Sequence, residues 1–228
     1  MPDAPETDRW VLPEEDEPWS LSLVVRVERD PVPAHTDVLV AAARAVVLLL
    51  TDARTTAPGG EFHDAVAAWR GRRIRKITRR ARGVRWERTA QLPHVEARSG
   101  DALVRAFAPH PREEVPEPLR PLQVGGLDLD DPEGFRPAPP APGLLTVRLC
   151  PDVRMSTGKA AAQVGHAAQL AWEQLPAAAT AAWGAGGFGV RVLTGAPVLP
   201  AASRVDVRDG GFTEVPPGTV TTSAGFEG

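Results

Sequence analysis

The amino-acid sequence predicts an α/β protein in which mixed sheets are flanked by helices, arranged as two related units that form a pseudo-dimer within one chain. Two observations lead to this prediction. An alternating apolar run over 144–149 is followed by an alanine-rich, helix-favouring run that begins at Ser156. A strand-like run over 21–27 and an apolar, helix-like run over 37–50 form a similar pair in the first half. We therefore expect one strand–helix order to occur twice.

An alignment of the chain with itself supports this expectation. A shift of 122 positions puts Arg26 on Arg148 and Asp30 on Asp152 without a gap, and the same register puts Asp37 at the place of Lys159. A shift of 100 matches the Glu-Val-Pro at 114–116 with that at 214–216. The polar groups of the second half are replaced in the first, which predicts a degenerate copy fused to a complete one.

The order of composition along the chain predicts its domains. We expect a flexible acidic arm over 1–18, a first unit over 19–125, a Pro- and Gly-rich linker over 126–143, and a second unit over 144–228. Within the first unit, periodicity predicts helices over 61–69 and 85–92, a strand or helix start over 74–78, and a strand over 102–108.

The second unit is predicted in more detail. Ser156 or Thr157 offers an N-cap oxygen, and Pro176 ends the helix that follows. A second alanine-rich helix runs to about 183, followed by strands over 188–193 and 205–207. The glycines at 210 and 211 predict a tight turn at the end of the last of these strands.

Lys159 is the unusual residue of the first helix in this unit. A cation in the first turn opposes the helix dipole, at a cost of a few tenths of a kcal/mol or more. The same position suits a group that holds a phosphate or a developing oxyanion beside backbone N–H groups. The alternative is a solvated lysine that happens to begin a helix. Gln163 and His166 follow on the same face, at i+4 and i+7 from Lys159.

Two motifs in this unit resemble those of the type II peptidyl-tRNA hydrolase family. The first is filled in register by eight residues: Asp152, Met155, Gly158, Lys159, Ala161, Gln163, His166 and Ala167. The second is filled by six: Asp209, Gly211, Thr213, Pro217, Gly218 and Thr221. The resemblance covers 143–228, roughly the last third of the chain.

The resemblance implies hydrolysis of the ester that joins a peptide to the 3′ ribose of tRNA, without a metal or other cofactor. It implies the catalytic residues Lys159, Asp209, Thr213 and Gln163, and substrate binding by Ser156, Gly158 and His166. Lys159 would stabilise the oxyanion, and Asp209 would orient Lys159 or act as general base. His166 is open to two interpretations, a general base near neutral pH or a histidine that packs the helix onto the sheet.

The chain departs from the family pattern at two places. Phe212 stands where the family has an arginine, and only 194–204 stands where the family has a full helix. These departures keep two alternatives open. One is a tRNA- or RNA-binding pseudoenzyme of the same fold, and the other is an interaction protein whose alanine-rich helix packs against a partner.

A basic segment in the first unit offers a place to hold RNA. It has nine cations within 17 positions: Arg72, Arg73, Arg75, Lys76, Arg79, Arg80, Arg82, Arg85 and Arg88. We predict that Arg72, Arg73, Arg75, Lys76 and Arg79 contact tRNA phosphates, with strongly salt-dependent binding. The alternative is a solvated basic face balanced by the acidic arm and linker.

Composition narrows the remaining possibilities. The net charge of −3 does not indicate a general nucleic-acid binder, and no apolar run approaches the ~20 residues that span a bilayer. Cys150 is the one cysteine, which excludes an internal disulfide and gives no metal-ligand spacing. The acidic start lacks the pattern of a signal peptide. We therefore expect a cytoplasmic protein without a membrane partner, either a monomer with an intrachain pseudo-dimer or a homodimer.

Overall fold

The first unit contains a mixed sheet in the computed structural model, which describes residues 18–72, 74–211 and 213–227. Most of the predicted arm, as well as Arg73 and Phe212, therefore lies outside the described residues. The main elements are β1 (Trp19–Arg26), α1 (His35–Thr51), β2 (Arg75–Ala81), β3 (His94–Ser99) and β4 (Ala102–Phe107). The strand order is β2-β1-β4-β3, with β2 parallel to β1 and the other two pairings antiparallel. Shorter elements are α2 (Ala53–Thr56), α3 (His63–Arg70), α4 (Val84–Thr89) and β5 (His110–Pro111), which pairs with β1.

The second unit contains a mixed sheet of the same topology. Its elements are β6 (Leu145–Leu149), α5 (Thr157–Gln174), α6 (Ala177–Ala185), β7 (Val190–Thr194), β8 (Val205–Arg208) and β9 (Val220–Phe226). The strand order is β7-β6-β9-β8, again with the crossover pair parallel and the other pairs antiparallel. The predicted α/β class is thus confirmed, and its two sheets share strand order and direction.

The two predicted self-alignments fare differently. The shift of 122 places α1 on α5, because the helices begin at His35 and Thr157. The shift of 100 is wrong. The Glu-Val-Pro at 114–116 follows the last strand of the first sheet, whereas that at 214–216 lies between β8 and β9. The pseudo-dimer itself stays a prediction, supported by the shared topology.

Helices α1 and α5 lie between the two sheets and pack against each other. Each also packs on the strands of its own unit, so one hydrophobic core contains residues of both units. Both helices contain fully buried alanines, including Ala41, Ala45, Ala161, Ala167 and Ala168. At Gly165 of α5 the fit is tight, because a Cβ there would lie 3.0 Å from Cγ2 of Val46 on α1. A glycine at this position therefore permits the close packing of the two helices.

The predicted linker contacts the first turns of both central helices. It has no helix or strand over 126–143, all of which the structure describes. The carbonyl of Leu127 accepts from the N–H of Gly158 at 3.1 Å, and Leu129 donates its N–H to Oγ1 of Thr157 at 2.9 Å. The same threonine oxygen lies 2.8 Å from Nδ1 of His35, at the start of α1. The linker thus ties the two helix starts together.

Candidate functional site

Lys159 is the third residue of α5, where the sequence placed it. Ser156 caps the helix, as predicted, with its Oγ accepting from the N–H of Lys159 at 3.2 Å. The Nζ of Lys159 lies 2.5 Å from Oδ2 of Asp209 and 2.9 Å from Oγ1 of Thr213. The side chains of the ion pair are 10% and 4% exposed, respectively. The expected meeting of Lys159 and Asp209 is therefore present, in a largely water-excluded place.

The loop between β8 and β9 delivers the carboxylate. Asp209 closes this loop with backbone hydrogen bonds in both directions, donating to Thr219 O at 2.9 Å and accepting from the N–H of Gly218 at 2.7 Å. Gly211 has a φ of +76°, and a Cβ there would lie 2.7 Å from Pro217 Cδ. Its N–H donates to Oδ1 of Asp209 at 2.8 Å. Only glycine suits this turn, which aims the carboxylate at α5.

Gln163 supports Asp209 from the next turn of α5. Its Nε2 donates to Oδ2 of Asp209 at 2.7 Å, while its Oε1 accepts from the hydroxyl of Thr221 at 2.6 Å. The register of β8 and β9 shifts between Val207 and Arg208, beside Thr221. Such a bulge re-aims a side chain, here toward the helix. Both ends of the buried Gln163 amide are occupied, so this residue holds the geometry of the site and does not reach a substrate.

The start of α5 differs from the expected anion site. The N–H of Lys159 is taken by Ser156, and that of Gly158 by the carbonyl of Leu127. The backbone N–H and the hydroxyl of Ser156 both donate to the carboxylate of Glu214, at 2.7 and 2.6 Å. Substrate binding by Ser156 and Gly158, which the resemblance implies, stays a prediction. In this structure both N–H groups already have partners, and the carboxylate of Glu214 would repel a phosphate.

His166 contacts the first unit. Its Nδ1 lies 3.1 Å from Nζ of Lys76 on β2, and the ring is half-buried. Burial lowers the pKa of His166 well below its ordinary 6.5, and the positive charges of Lys76 and then Lys159 lower this pKa further. A ring held neutral and packed between helix and strand fits the packing interpretation of His166.

The predicted basic stripe is not a single exposed face. Side chains alternate along β2, so Lys76 points toward α5 and Arg79 toward the other side of the sheet, where its guanidinium donates to Leu122 O at 3.3 Å. Both are buried, at 8% and 7% exposed. Burial lowers the pKa of both groups. Phosphate binding by Lys76 and Arg79 is therefore a wrong prediction.

The remaining cations of the segment differ in exposure. Arg75 is half-buried, and the exposed arginines are Arg72, Arg82, Arg85 and Arg88. The guanidinium of Arg72 lies 5.3 Å from the ring centroid of Trp19.

Two residues at the site were not singled out by the sequence as contacts of α5. Glu214 was noted only as part of a repeated tripeptide, yet it binds the start of the helix. Lys76 was grouped with the surrounding arginines. One signal did distinguish it, since Lys76 and Lys159 are the only lysines among the 26 Lys and Arg residues of the chain.

The fold and the site together define an α/β protein with a buried lysine–aspartate pair at the first turn of its alanine-rich helix. No family model, curated protein or solved structure matches the chain. Among the described residues, no group of His, Cys, Asp and Glu is arranged to hold a metal ion. None of the helices in the described ranges is long and apolar enough to cross a bilayer.

Proposed function

We propose that the Lys159 site hydrolyses the ester between peptide and tRNA in peptidyl-tRNA. The observation that carries the proposal is the contact of Lys159 with both Asp209 and Thr213, from two separate motifs of the resembled family. An ammonium has three N–H donors. Two are used here, and the third is the group that meets the ester carbonyl.

The chemistry follows from this arrangement. Water attacks the ester carbonyl as it loses a proton, and negative charge develops on the carbonyl oxygen. The intermediate then collapses by breaking the bond to the ribose oxygen, which takes up a proton and leaves as the 3′-terminal hydroxyl of tRNA. Lys159 stabilises that charge in a low-dielectric place, where one good donor is worth about 3–4 kcal/mol. The backbone N–H groups of Gly158 and Lys159 have other partners, so we assign the main part of this role to the ammonium of Lys159.

Asp209 is assigned to orienting the lysine. Its Oδ1 accepts from Gly211, and its Oδ2 accepts from Gln163 and Lys159. A carboxylate whose oxygens are both engaged in this way is fixed in place, and it holds Nζ in one position. Thr213 is exposed, and its hydroxyl hydrogen remains to hold the attacking water.

One observation favours the alternative, a non-catalytic protein that binds tRNA. Glu214 occupies the start of α5, where the resembled enzymes would receive part of an anionic substrate. A carboxylate there weakens the electrostatic stabilisation of the developing oxyanion.

The test uses the full chain and an N-acylated aminoacyl-tRNA, with release of free tRNA followed over time. Lys159→Met removes the charge at similar length, and we expect it to reduce kcat at least ~100-fold. Glu214→Gln is the matched comparison, and it should keep or raise the rate. Wild-type binding of tRNA without release establishes the non-catalytic alternative. Unchanged release by Lys159→Met means that this site does not carry the reaction.

A further inference from the structure

The two lysines of the chain occupy similar surroundings. Lys159 is on α5 and Lys76 faces α5 from β2, both in largely buried positions, and His166 of α5 contacts Lys76. An ammonium is a compact point charge with three donors on one atom, whereas a guanidinium is a wide planar fork. The choice of lysine therefore indicates places where a small donor is required.

Lys76 reaches from β2 of the first unit to α5 of the second. Its Nζ lies 2.5 Å from Oε1 of Gln169, 3.1 Å from Nδ1 of His166, and 4.8 Å from the ring centroid of Trp69. The amide oxygen and the aromatic face are acceptors. A charged ammonium can only donate, so in contact with it Nδ1 of His166 carries no proton. The imidazole is then neutral, with its proton on Nε2.

Within the described ranges, the charged groups near His166 and Lys76 lie on α5, β2, α3 and the β8–β9 loop. Lys159 and Glu173 are on α5, Lys76 is on β2, and Arg70 on α3 pairs with Glu173 at 3.1 Å. Asp209 faces Lys159 from the β8–β9 loop. The nearest two charges that act on the ring are both positive, which opposes its protonation.

Stability does not account for Lys76. Its contacts include no carboxylate among the described residues, and burying an ammonium without one is costly. An apolar side chain of similar size at such a place is usually as stable or more so. Gly165 nevertheless leaves room for the side chain of Lys76, since a Cβ at Gly165 would lie only 3.2 Å from Cδ of Lys76.

We propose that Lys76 is a positioning residue for the Lys159 site and acts through His166, by holding its ring as the neutral Nε2–H tautomer on the polar face of α5. The first unit thereby completes the environment of the second unit's site. His166 is at i+7 from Lys159 on the same face of α5, so a neutral ring adds no second positive charge to that face. The effect of Lys76 on the rate rests on the proposed function. Its effect on the tautomer of His166 rests on the contacts alone.

The structural part is tested by NMR on the full chain with ¹⁵N-labelled histidine and ¹³Cε-labelled lysine, which gives only two lysine signals. In the wild type we expect Nδ1 of His166 to be unprotonated and the ring to remain neutral below pH 6.5. Lys76→Met should release the tautomer and move the titration of His166 toward its ordinary range, and Lys76→Gln repeats the test. Arg80→Met is the matched control, because it removes from the same strand a cation that donates to the side chain of Gln123 and not to His166. A wild-type ring protonated on Nδ1, or an unchanged ring in Lys76→Met, overturns the proposal.

The kinetic part uses the same variants on the acylated tRNA. Lys76→Met should lower kcat by roughly tenfold or more and change KM by less than about twofold. For comparison, a misplacement of a catalytic group by about 1 Å lowers a rate by ~100-fold. Its pH–rate profile should also shift, which a merely structural residue would not cause. An active wild type with an unchanged kcat in Lys76→Met overturns the inference alone. An inactive wild type overturns the proposed function, and the NMR result then decides whether Lys76 sets the state of His166.

Discussion

Asp37 on α1 and Lys159 on α5 occupy equivalent helix positions and carry opposite charges. Each is the third residue of its helix, and each contacts a β-hairpin of its own sheet, β3–β4 for Asp37 and β8–β9 for Lys159. Asp37 accepts from the hydroxyl of Ser99 at 2.7 Å, whereas Lys159 contacts Asp209. The dipole of a helix favours the aspartate and disfavours the lysine. The first unit thus has a residue that the helix dipole stabilises, and the second has, at its candidate site, one that the dipole destabilises.

The buried pair of Lys159 and Asp209 predicts a large stability effect when one partner is removed. Asp209→Asn leaves the ammonium without its carboxylate, and the free energy of unfolding should fall by about 3–5 kcal/mol. Adding Lys159→Met to this variant should recover much of the loss. Urea unfolding measures both. Glu28→Gln, which breaks the more exposed pair with Arg26, should lower the free energy of unfolding by at most ~1 kcal/mol. Equal losses in Asp209→Asn and Glu28→Gln would contradict the prediction.

Two neighbouring threonines on β9 provide a controlled test of the Gln163 support. Thr221→Val removes the hydroxyl that donates to Oε1 of Gln163 and leaves this buried acceptor unpaired. The free energy of unfolding should therefore fall by about 1–3 kcal/mol. Thr222 is equally buried, and its hydroxyl has no hydrogen-bond partner within the described part of the chain. Thr222→Val should therefore be neutral or stabilising. Thermal unfolding of both variants decides this, and equal destabilisation would show that the hydroxyl of Thr221 has no special role.

The close approach of the central helices makes Gly165 sensitive to a single methyl group. Gly165→Ala places a carbon 3.0 Å from Val46 and 3.2 Å from Lys76, and overpacking of this kind costs about 1–3 kcal/mol. Gly158→Ala on the same helix is the control. Its Cβ would have ordinary contacts, the nearest at 3.7 Å, and alanine is the better helix former. Denaturant midpoints should therefore move in opposite directions, and a stabilised Gly165→Ala variant would refute the tight packing.

The pH dependence of stability should reflect three histidines, of which His110 is buried and His35 and His166 are half-buried. Burial is the largest cause that lowers the pKa of His35, His110 and His166 below 6.5. The unfolded chain then binds more protons than the folded one, so stability is highest above pH 6.5 and falls as the pH drops below it. His166→Gln should make this fall less steep. Unfolding free energies at constant ionic strength between pH 7.5 and 5 give the slopes, and identical slopes would contradict the assignment to His166.

The exposed arginines predict how tRNA binding depends on salt. Arg85→Gln and Arg88→Gln should each weaken binding and reduce the slope of log affinity against log salt by about 1. Arg136→Gln removes the same charge from the acidic linker and should leave the slope unchanged. Titrations at several salt concentrations make the comparison. Slopes that are equal in all three variants would place the RNA elsewhere.

Local patterns predicted most of the second unit. The helix start at Ser156 and its end before Pro176 followed from capping and proline chemistry, and α5 ends at Gln174. The meeting of Lys159 with Asp209 also followed, because helix starts and strand ends gather at one edge of such a sheet. A short helix of three residues over 201–203 stands in the segment where a full helix was expected to be missing.

The remaining features depended on packing that no local pattern reveals. Strands β3 and β9 were not predicted, and β9 contains three small polar residues, Thr221, Thr222 and Ser223, that are buried in a strand against which α5 packs. The inward direction of Lys76 was hidden by the arginines beside it, since the usual alternation of apolar and polar residues is absent from β2. Glu214 is exposed, and only the folded loop brings it to Ser156.

The pairing of α1 with α5 also has a consequence during translation. The start of α1 leaves the ribosome 122 residues before the start of α5, which corresponds to roughly 6 to 24 seconds at ~5–20 residues per second. Throughout that interval the alanine and valine side of α1 is uncovered in the nascent chain. The first unit is therefore the vulnerable half during synthesis, and a chaperone that shields apolar helices would act on it before the partner helix exists.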